Sequence, residues 1–358
     1  MGGSGVDDVA GRVLAAAVGG TEIANIYLGD RLGLYRVLAD KGPLTSAELA
    51  LAAGCDERYT REWLQGQVVS GFVGTTGDDL TVAEFALADG AREVFVDELS
   101  PSYMAPLGTA MASAGAMLPA LLDAFRTGAG VPYSAYPAGV SAQAALNRPA
   151  YANDLIPTWL PAIPGLVERL SDAGQPAVVA DLGCGAGWST IEIARAYPHT
   201  RVTGYDGDPA SIEEALRHAA DEGLADRVAF HRHDLAEPLA QGGVDVAFMF
   251  ECLHDMGYPD RVLRTARRAL GDGGSLIVMD EAVDETLVPA SDDIVQRFFA
   301  NMSPLWCLPQ GRDAADMDPV GTVMRPAKLR QLAEAAGFAG TEVLPIEHPF
   351  FRFYRLTT

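Results

Sequence analysis

The chain has 358 residues, 49% hydrophobic and 21% charged, and its 48 acidic residues against 26 Lys and Arg give a net charge of −22. That length exceeds one ordinary domain and predicts two, with ample apolar material for their cores. The acidic balance, with Lys41 and Lys328 the only lysines, argues against nucleic acid as the main partner, because neutralising phosphates needs clustered cations.

The first hundred residues read as a winged helix. Glu22–Leu38 carries Ile23, Ile26, Leu32, Leu34 and Val37 at helical spacing. Thr45-Ser46-Ala47-Glu48 is a capping-box signature opening a second helix, which Gly54 closes. A third helix starts near Asp56 and carries Tyr59, Trp63, Leu64 and Val68. Gly74–Asp79 reads as a hairpin tip before Leu80-Thr81-Val82. In a DNA-binding winged helix the third helix meets the duplex. Here Asp56, Glu57 and Glu62 offset Arg58 and Arg61, leaving no basic excess. Ile23, Ile26, Tyr27 and Leu28 exceed what one small core needs, so the expected role is holding a homodimer.

From Pro101 to Asp172 the pattern is helical, interrupted at Gly128-Ala129-Gly130-Val131-Pro132. Met104, Met111, Met117, Leu121, Leu122 and Phe125 form an apolar series, and Tyr133, Tyr136, Tyr151 and Trp159 read as core. After Ala177, strands at Val178–Leu182, Arg201–Tyr205, Val228–His231, Val244–Phe250 and Ser275–Met279 alternate with helices, as in a parallel sheet. Thr341–Ile346 and Phe350–Thr357 leave no room for a crossover helix and are expected to pair antiparallel.

The first of these strands ends Ala180-Asp181-Leu182-Gly183-Cys184-Gly185-Ala186-Gly187 and enters a helix at Trp188. A turn with so little Cβ lets the backbone approach a ligand closely. Its G-x-G-x-G spacing differs from the dinucleotide G-x-G-x-x-G. Asp181 before the loop would repel a phosphate and attract an ammonium group. Ligands of open α/β sheets bind beyond the carboxyl ends of the strands. The next ends are Tyr205-Asp206-Gly207-Asp208, His231-Arg232-His233-Asp234-Leu235 and Phe250-Glu251-Cys252-Leu253-His254-Asp255. At the second end Asp206 is placed to accept both hydroxyls of a ribose.

The glycine loop and the acidic strand ends resemble the class I S-adenosylmethionine (AdoMet) methyltransferases. The likeness is to bacterial winged-helix members and to the plant-type small-molecule O-methyltransferases. It covers nearly the whole chain, including Glu62-Trp63-Leu64, Arg325-Pro326, Ala336-Gly337-Phe338 and Phe351–Leu356. It implies an α/β fold with a Rossmann-like sheet, an antiparallel C-terminal hairpin and an N-terminal winged-helix domain. It implies AdoMet as cofactor, with S-adenosylhomocysteine as product, held by Asp181, Gly183, Gly185, Gly187, Asp206, Gly207, Asp234, Leu235 and Phe250. Asp234 would bind the adenine amino group.

Leu253-His254-Asp255-Met256 resembles the family's L-H-D-W segment, with Met256 in place of Trp. The histidine there is the general base, and a neutral imidazole suits removing a hydroxyl proton. Glu281-Ala282-Val283 matches the first of two acids that flank the base. The second belongs near Val323–Met324, where this chain has no acid. Three roles for His254 therefore stay open: base, hydrogen bonder that orients the acceptor, or structural residue. His231, His233 and Asp234 offer metal donors, but an exposed strand-end pair is the simpler reading and no metal is expected.

Asp284–Val323 is long for an insertion after a strand and carries Phe298, Phe299, Met302, Trp306 and Cys307-Leu308-Pro309-Gln310-Gly311. It is expected to cap a pocket for a flat or apolar small-molecule acceptor. The expected layout is a winged-helix dimerisation domain at 1–100, a helical connector lining the acceptor pocket at 101–172, and an AdoMet-binding methyltransferase domain at 173–358. The expected reaction is O-methylation, with C- or N-methylation as the alternative and an AdoMet-sensing transcriptional regulator as the alternative of another class. Four scattered cysteines without C-x-x-C, no apolar run of about 18 residues and no signal-peptide pattern predict a cytoplasmic protein without a membrane span.

Overall fold

The computed structural model describes residues 5–358, so the first four residues of the predicted 1–100 segment lie outside the described residues. The segment read as one helix over Glu22–Leu38 is two, Val6–Arg31 and Leu34–Lys41. Gly33 breaks it with φ of 70°, a left-handed conformation that ends one helix and opens the next. Thr45 caps Ser46–Ala53 in a reciprocal capping box with Glu48, and Gly54 ends that helix in the left-handed region, both as expected. Asp56 caps Glu57–Val69. Tyr59 on that helix is exposed rather than part of the apolar face.

β1 (Leu44–Thr45), β2 (Val73–Thr75) and β3 (Glu84–Leu87) form an antiparallel sheet in the order β1-β3-β2. The returning strand starts at Glu84 instead of Leu80. Asp79 accepts both the N–H and the hydroxyl of Thr81, which holds residues 79–81 in a turn. In this unit's core, Tyr35 stacks on Phe95 at 4.4 Å and donates its hydroxyl to Gln67 at 2.6 Å.

A second compact unit comprises Ala116–Ala144 and Ala150–Thr358; the first takes the remaining described residues. The helix Pro106–Thr127 runs from one into the other. By length and composition alone this helix could cross a membrane, a test that core helices of soluble proteins also pass. Alanine and glycine rather than long aliphatics fill it, which hid it from a search for apolar runs.

The second unit is built on seven strands. These are β4 (Val178–Leu182), β5 (Arg201–Asp206), β6 (Val228–Arg232), β7 (Val244–Phe250), β8 (Leu270–Glu281), β9 (Gly340–Val343) and β10 (Phe351–Thr357). Their order is β6-β5-β4-β7-β8-β10-β9. The first five are parallel. β10 inserts between β8 and β9 and is antiparallel to both, as the sequence predicted for the final pair.

Period-two alternation sends Phe248, Phe250, Ile277, Met279 and Phe353 to one face, and Ala247, Met249, Leu276, Val278 and Tyr354 to the other. Both faces are covered, which is why these strands read as unbroken apolar runs. Tyr136, Tyr151 and Trp159 are core residues, while Tyr133 keeps partial access to solvent.

Candidate active site

The glycine loop crosses the carboxyl end of β4. Gly183, Gly185 and Gly187 take φ of 78°, 50° and 81°, which residues with a Cβ rarely adopt. The loop is fastened to β5, because the N–H groups of Gly183 and Cys184 both donate to the Tyr205 carbonyl, at 2.8 and 3.1 Å. Asp206 fastens it again. Its Oδ2 accepts the Gly185 N–H at 2.9 Å and its Oδ1 accepts the Asp208 N–H at 2.8 Å. Each carboxylate oxygen retains acceptor capacity for a ligand hydroxyl. Burial raises the Asp206 pKa, partly opposed by these backbone donors.

Asp181 is buried at the end of β4. Its Oδ2 accepts the hydroxyls of Ser189 and Thr190, each at 2.6 Å, while Oδ1 is buried without a partner. Burial pushes its pKa up to about 6 despite those donors. A cation beside Oδ1 would stabilise the ionised form, so an orphaned carboxylate oxygen fits an ammonium group.

Asp234 is exposed and accepts the Ala236 N–H at 2.9 Å, with Leu235 buried beside it. The His233 carbonyl approaches Gly207 to 3.9 Å from where its Cβ would be. The Phe250 ring stacks on Phe248 at 5.1 Å inside the core, so only its backbone is left to face a ligand. His231 and His233 lie against the Tyr205 ring, at 5.6 and 6.1 Å, and His233 Nε2 meets the Glu237 carbonyl at 3.1 Å.

His254 sits in a short turn, Leu253–Asp255, directly after β7. Its imidazole is buried, with Nδ1 at 3.1 and 3.2 Å from the two oxygens of Asp280 and 3.1 Å from Glu281 Oε2. Both acids end β8. The predicted Glu281 is therefore at the imidazole, and Asp280, which the sequence reading missed, is beside it. The region of the expected second acid holds Met324 in the core. An acidic residue closing the apolar run Leu276-Ile277-Val278-Met279 was the available signal.

Burial alone would push the His254 pKa down, but the carboxylates of Glu281 and Asp280 outweigh it and hold the imidazole well above its usual range. Burial, reinforced by Asp280, holds the Glu281 carboxyl well above its own. Donor atoms of His254, Asp280 and Glu281 all lie within 4.8 Å of one another, close enough to share a cation. The direct contacts to Nδ1 use the same lone pairs.

Glu251, between β7 and the turn, has φ of 53° and accepts from Gln143 Nε2 at 3.1 Å. Burial raises the Asp255 pKa to about 6, opposed by His254. The insertion reaches this turn through the helix Cys307–Gln310, and the Cys307 thiol interacts with the imidazole. A second segment is clasped to the insertion. Val131 N–H donates to the Pro309 carbonyl at 3.0 Å, and the Tyr136 hydroxyl donates to the Leu305 carbonyl at 2.9 Å, its ring 4.8 Å from Trp306.

The sheet order, the glycine loop and an acid at successive strand ends define a class I methyltransferase domain. Residues 175–337 match the methyltransferase domain family and residues 23–88 match the Rv2258c-like winged HTH domain. The chain thus carries a methyltransferase domain and an Rv2258c-like winged HTH domain.

A malonyl-[acyl-carrier protein] O-methyltransferase of Hahella chejuensis is 33% identical over 30% of this chain and 38% of its own length. Aclacinomycin 10-hydroxylase RdmB of Streptomyces purpurascens is 33% identical over 49% of this chain and 45% of its own length. The chain thus spans less than half the length of these curated relatives. Human N-acetylserotonin methyltransferase, solved in complex with SAM, has the same fold at a TM-score of 0.71, with 18% identity, over 100% of this chain and 99% of that one.

Proposed function

We propose that this protein transfers a methyl group from AdoMet to a hydroxyl of a small-molecule acceptor, releasing S-adenosylhomocysteine. Bound AdoMet supplies an electrophilic methyl, so the protein's task is to position the partners and take a proton. Asp206 would hold the ribose hydroxyls and Asp181 Oδ1 the ammonium group. Asp234 and Leu235 would meet the adenine, with the loop of Gly183, Gly185 and Gly187 and the backbone at Gly207 and Phe250 lying along the ligand.

One observation carries the reading. A buried imidazole, held at Nδ1 by Asp280 and Glu281, stands one strand end beyond the cofactor acids. Fixing Nδ1 leaves Nε2 to take the acceptor's proton, and the two acids stabilise the imidazolium that forms. Segment 128–143 and the insertion would line the acceptor pocket.

The N-terminal unit is proposed to hold a homodimer. Val9, Val13 and Leu14 on the helix Val6–Arg31 are each more than half exposed, an apolar face suited to a second copy. Ile26, expected on that face, is buried within its own unit. A regulator bound to DNA fits poorly. On the third winged-helix helix, Arg58 pairs with Glu62 and Arg61 with Glu57, leaving neither arginine unopposed for a phosphate. Four free cysteines fit the cytoplasm.

The hydroxylase relative supports a second reading, in which AdoMet is bound but its methyl stays in place. Incubation with AdoMet and a panel of small hydroxylated compounds, monitored for S-adenosylhomocysteine by mass spectrometry, separates the two. Its release with a methylated acceptor is expected; AdoMet binding without release under any acceptor would favour the second reading.

A further inference from the structure

Two polar side chains beside the His254 turn take no part in the proposed transfer. Gln310 ends the one-turn helix Cys307–Gln310, and both its amide oxygen and its amide nitrogen are buried without a hydrogen-bond partner. Thr322 is buried, and its hydroxyl also has no partner. Buried polar atoms are almost always paired, so three orphans on two neighbouring segments need a cause.

Both segments are held at the turn. The Gly321 N–H donates to the His254 carbonyl at 2.7 Å, directly before Thr322, and the Asp318 N–H donates to the Gly257 carbonyl at 2.8 Å. Cys307 interacts with the imidazole itself. Helix residues three apart share a face, so Gln310 lies on the Cys307 side, toward His254.

We propose that Gln310 and Thr322 form a polar subsite for the methyl acceptor. The acceptor then carries an amide-like edge, a hydrogen-bond acceptor beside a donor, next to the hydroxyl offered to His254. This rests on the methyltransferase reading of the same site. A glutamine amide presents one acceptor and one donor side by side, which matches a carboxamide, a lactam or a hydroxy-carbonyl edge. An anionic edge is disfavoured, because Asp255 and Asp280 already place negative charge at this turn and His254 Nδ1 is engaged by Asp280 rather than free to pair with a second anion. The neutral Thr322 borders the stretch where the resembling family places its second acid.

Salicylamide, a phenol beside a neutral carboxamide, is the probe, and salicylate is its anionic counterpart. Both are titrated into the full chain saturated with S-adenosylhomocysteine, using saturation-transfer NMR, for wild type, Gln310→Met and Thr322→Val. Salicylamide should bind the wild type, about tenfold more tightly than salicylate does, and lose about tenfold in affinity in Gln310→Met. Affinity for S-adenosylhomocysteine should not change. Without any ligand, Gln310→Met should raise the melting temperature by about 2 °C, because it removes unpaired buried groups. The subsite is overturned by no salicylamide binding, by equal binding to wild type and Gln310→Met, by salicylate binding as tightly, or by a fall in melting temperature. Absence of S-adenosylhomocysteine binding to the wild type would instead count against the methyltransferase reading, and the melting shift would still judge the subsite.

Discussion

Both carboxylate oxygens of Asp280 lie within 3.2 Å of His254 Nδ1. The same Asp280 Oδ1 accepts the Glu281 N–H at 3.1 Å. One side chain therefore fixes the ring and also the strand end that carries the second acid.

Only a neutral imidazole accepts a proton, and the two acids hold His254 charged beyond its ordinary range. Turnover should therefore rise with pH along a limb alkaline of the usual histidine value. Asp280→Asn removes one anion, so the imidazole pKa falls and the limb should move to lower pH. His254→Ala should lower turnover by roughly 10²–10⁴ without weakening AdoMet binding. The pH profile of kcat/KM in His254→Asn decides the role. Near wild-type turnover with a flat profile would mean that the ring only orients the acceptor.

Asp206→Ala should weaken AdoMet binding by about 2–4 kcal/mol, through loss of charge-assisted bonds to the ribose. The substitution also frees the Gly185 and Asp208 N–H groups that shape the loop. Titration calorimetry on a variant with wild-type circular dichroism measures this, and unchanged affinity would remove Asp206 from the ribose site.

Asp181 makes the ligand-free protein pH-sensitive. Its folded pKa, about 6, lies above its ordinary value of 3.8, so the protonated form is favoured on folding. Its contribution is fully present below pH 3.8 and is lost as pH rises to about 6, a difference of about 3 kcal/mol. Asp181→Asn should abolish that loss and stabilise the ligand-free chain at pH 7.5, while weakening AdoMet binding. Chemical denaturation at pH 5 and pH 7.5 checks the first half; an equal pH dependence in variant and wild type would contradict it.

The Val6–Arg31 face gives a test of assembly. Wild type is expected to scatter light as a dimer at micromolar concentration. The double substitution Val9→Asp with Val13→Asp should give a monomer of unchanged helicity. A monomeric wild type would remove the proposed interface.

The strands and the glycine loop were legible because local pattern and burial agree there. β4 and β7 are apolar runs with glycines or acids at their ends, and their bounds match expectation. The pairing of Asp280 with His254 was not legible, since period two puts adjacent strand residues on opposite faces. Both acids reach the ring because the strand ends at Glu281, where Asp280 turns back onto the Glu281 N–H. The orphaned atoms of Gln310 and Thr322 depend on tertiary contacts that no spacing rule encodes. The break after Arg31 was readable in principle from Gly33, but the apolar spacing continued across it and masked it.

β9 touches the sheet only through β10, and β10 is held on its other side by β8 alone. The two strands therefore form one cooperative unit at that edge. When β10 lets go, β9 has nothing left to pair with, and both must open together. Amide exchange should show residues 340–343 and 351–357 sharing one opening free energy. The Ser275–Glu281 stretch of β8 would then lose its pairing on that side and keep only β7 on the other, so this edge bears on how long Asp280 and Glu281 stay in register with His254.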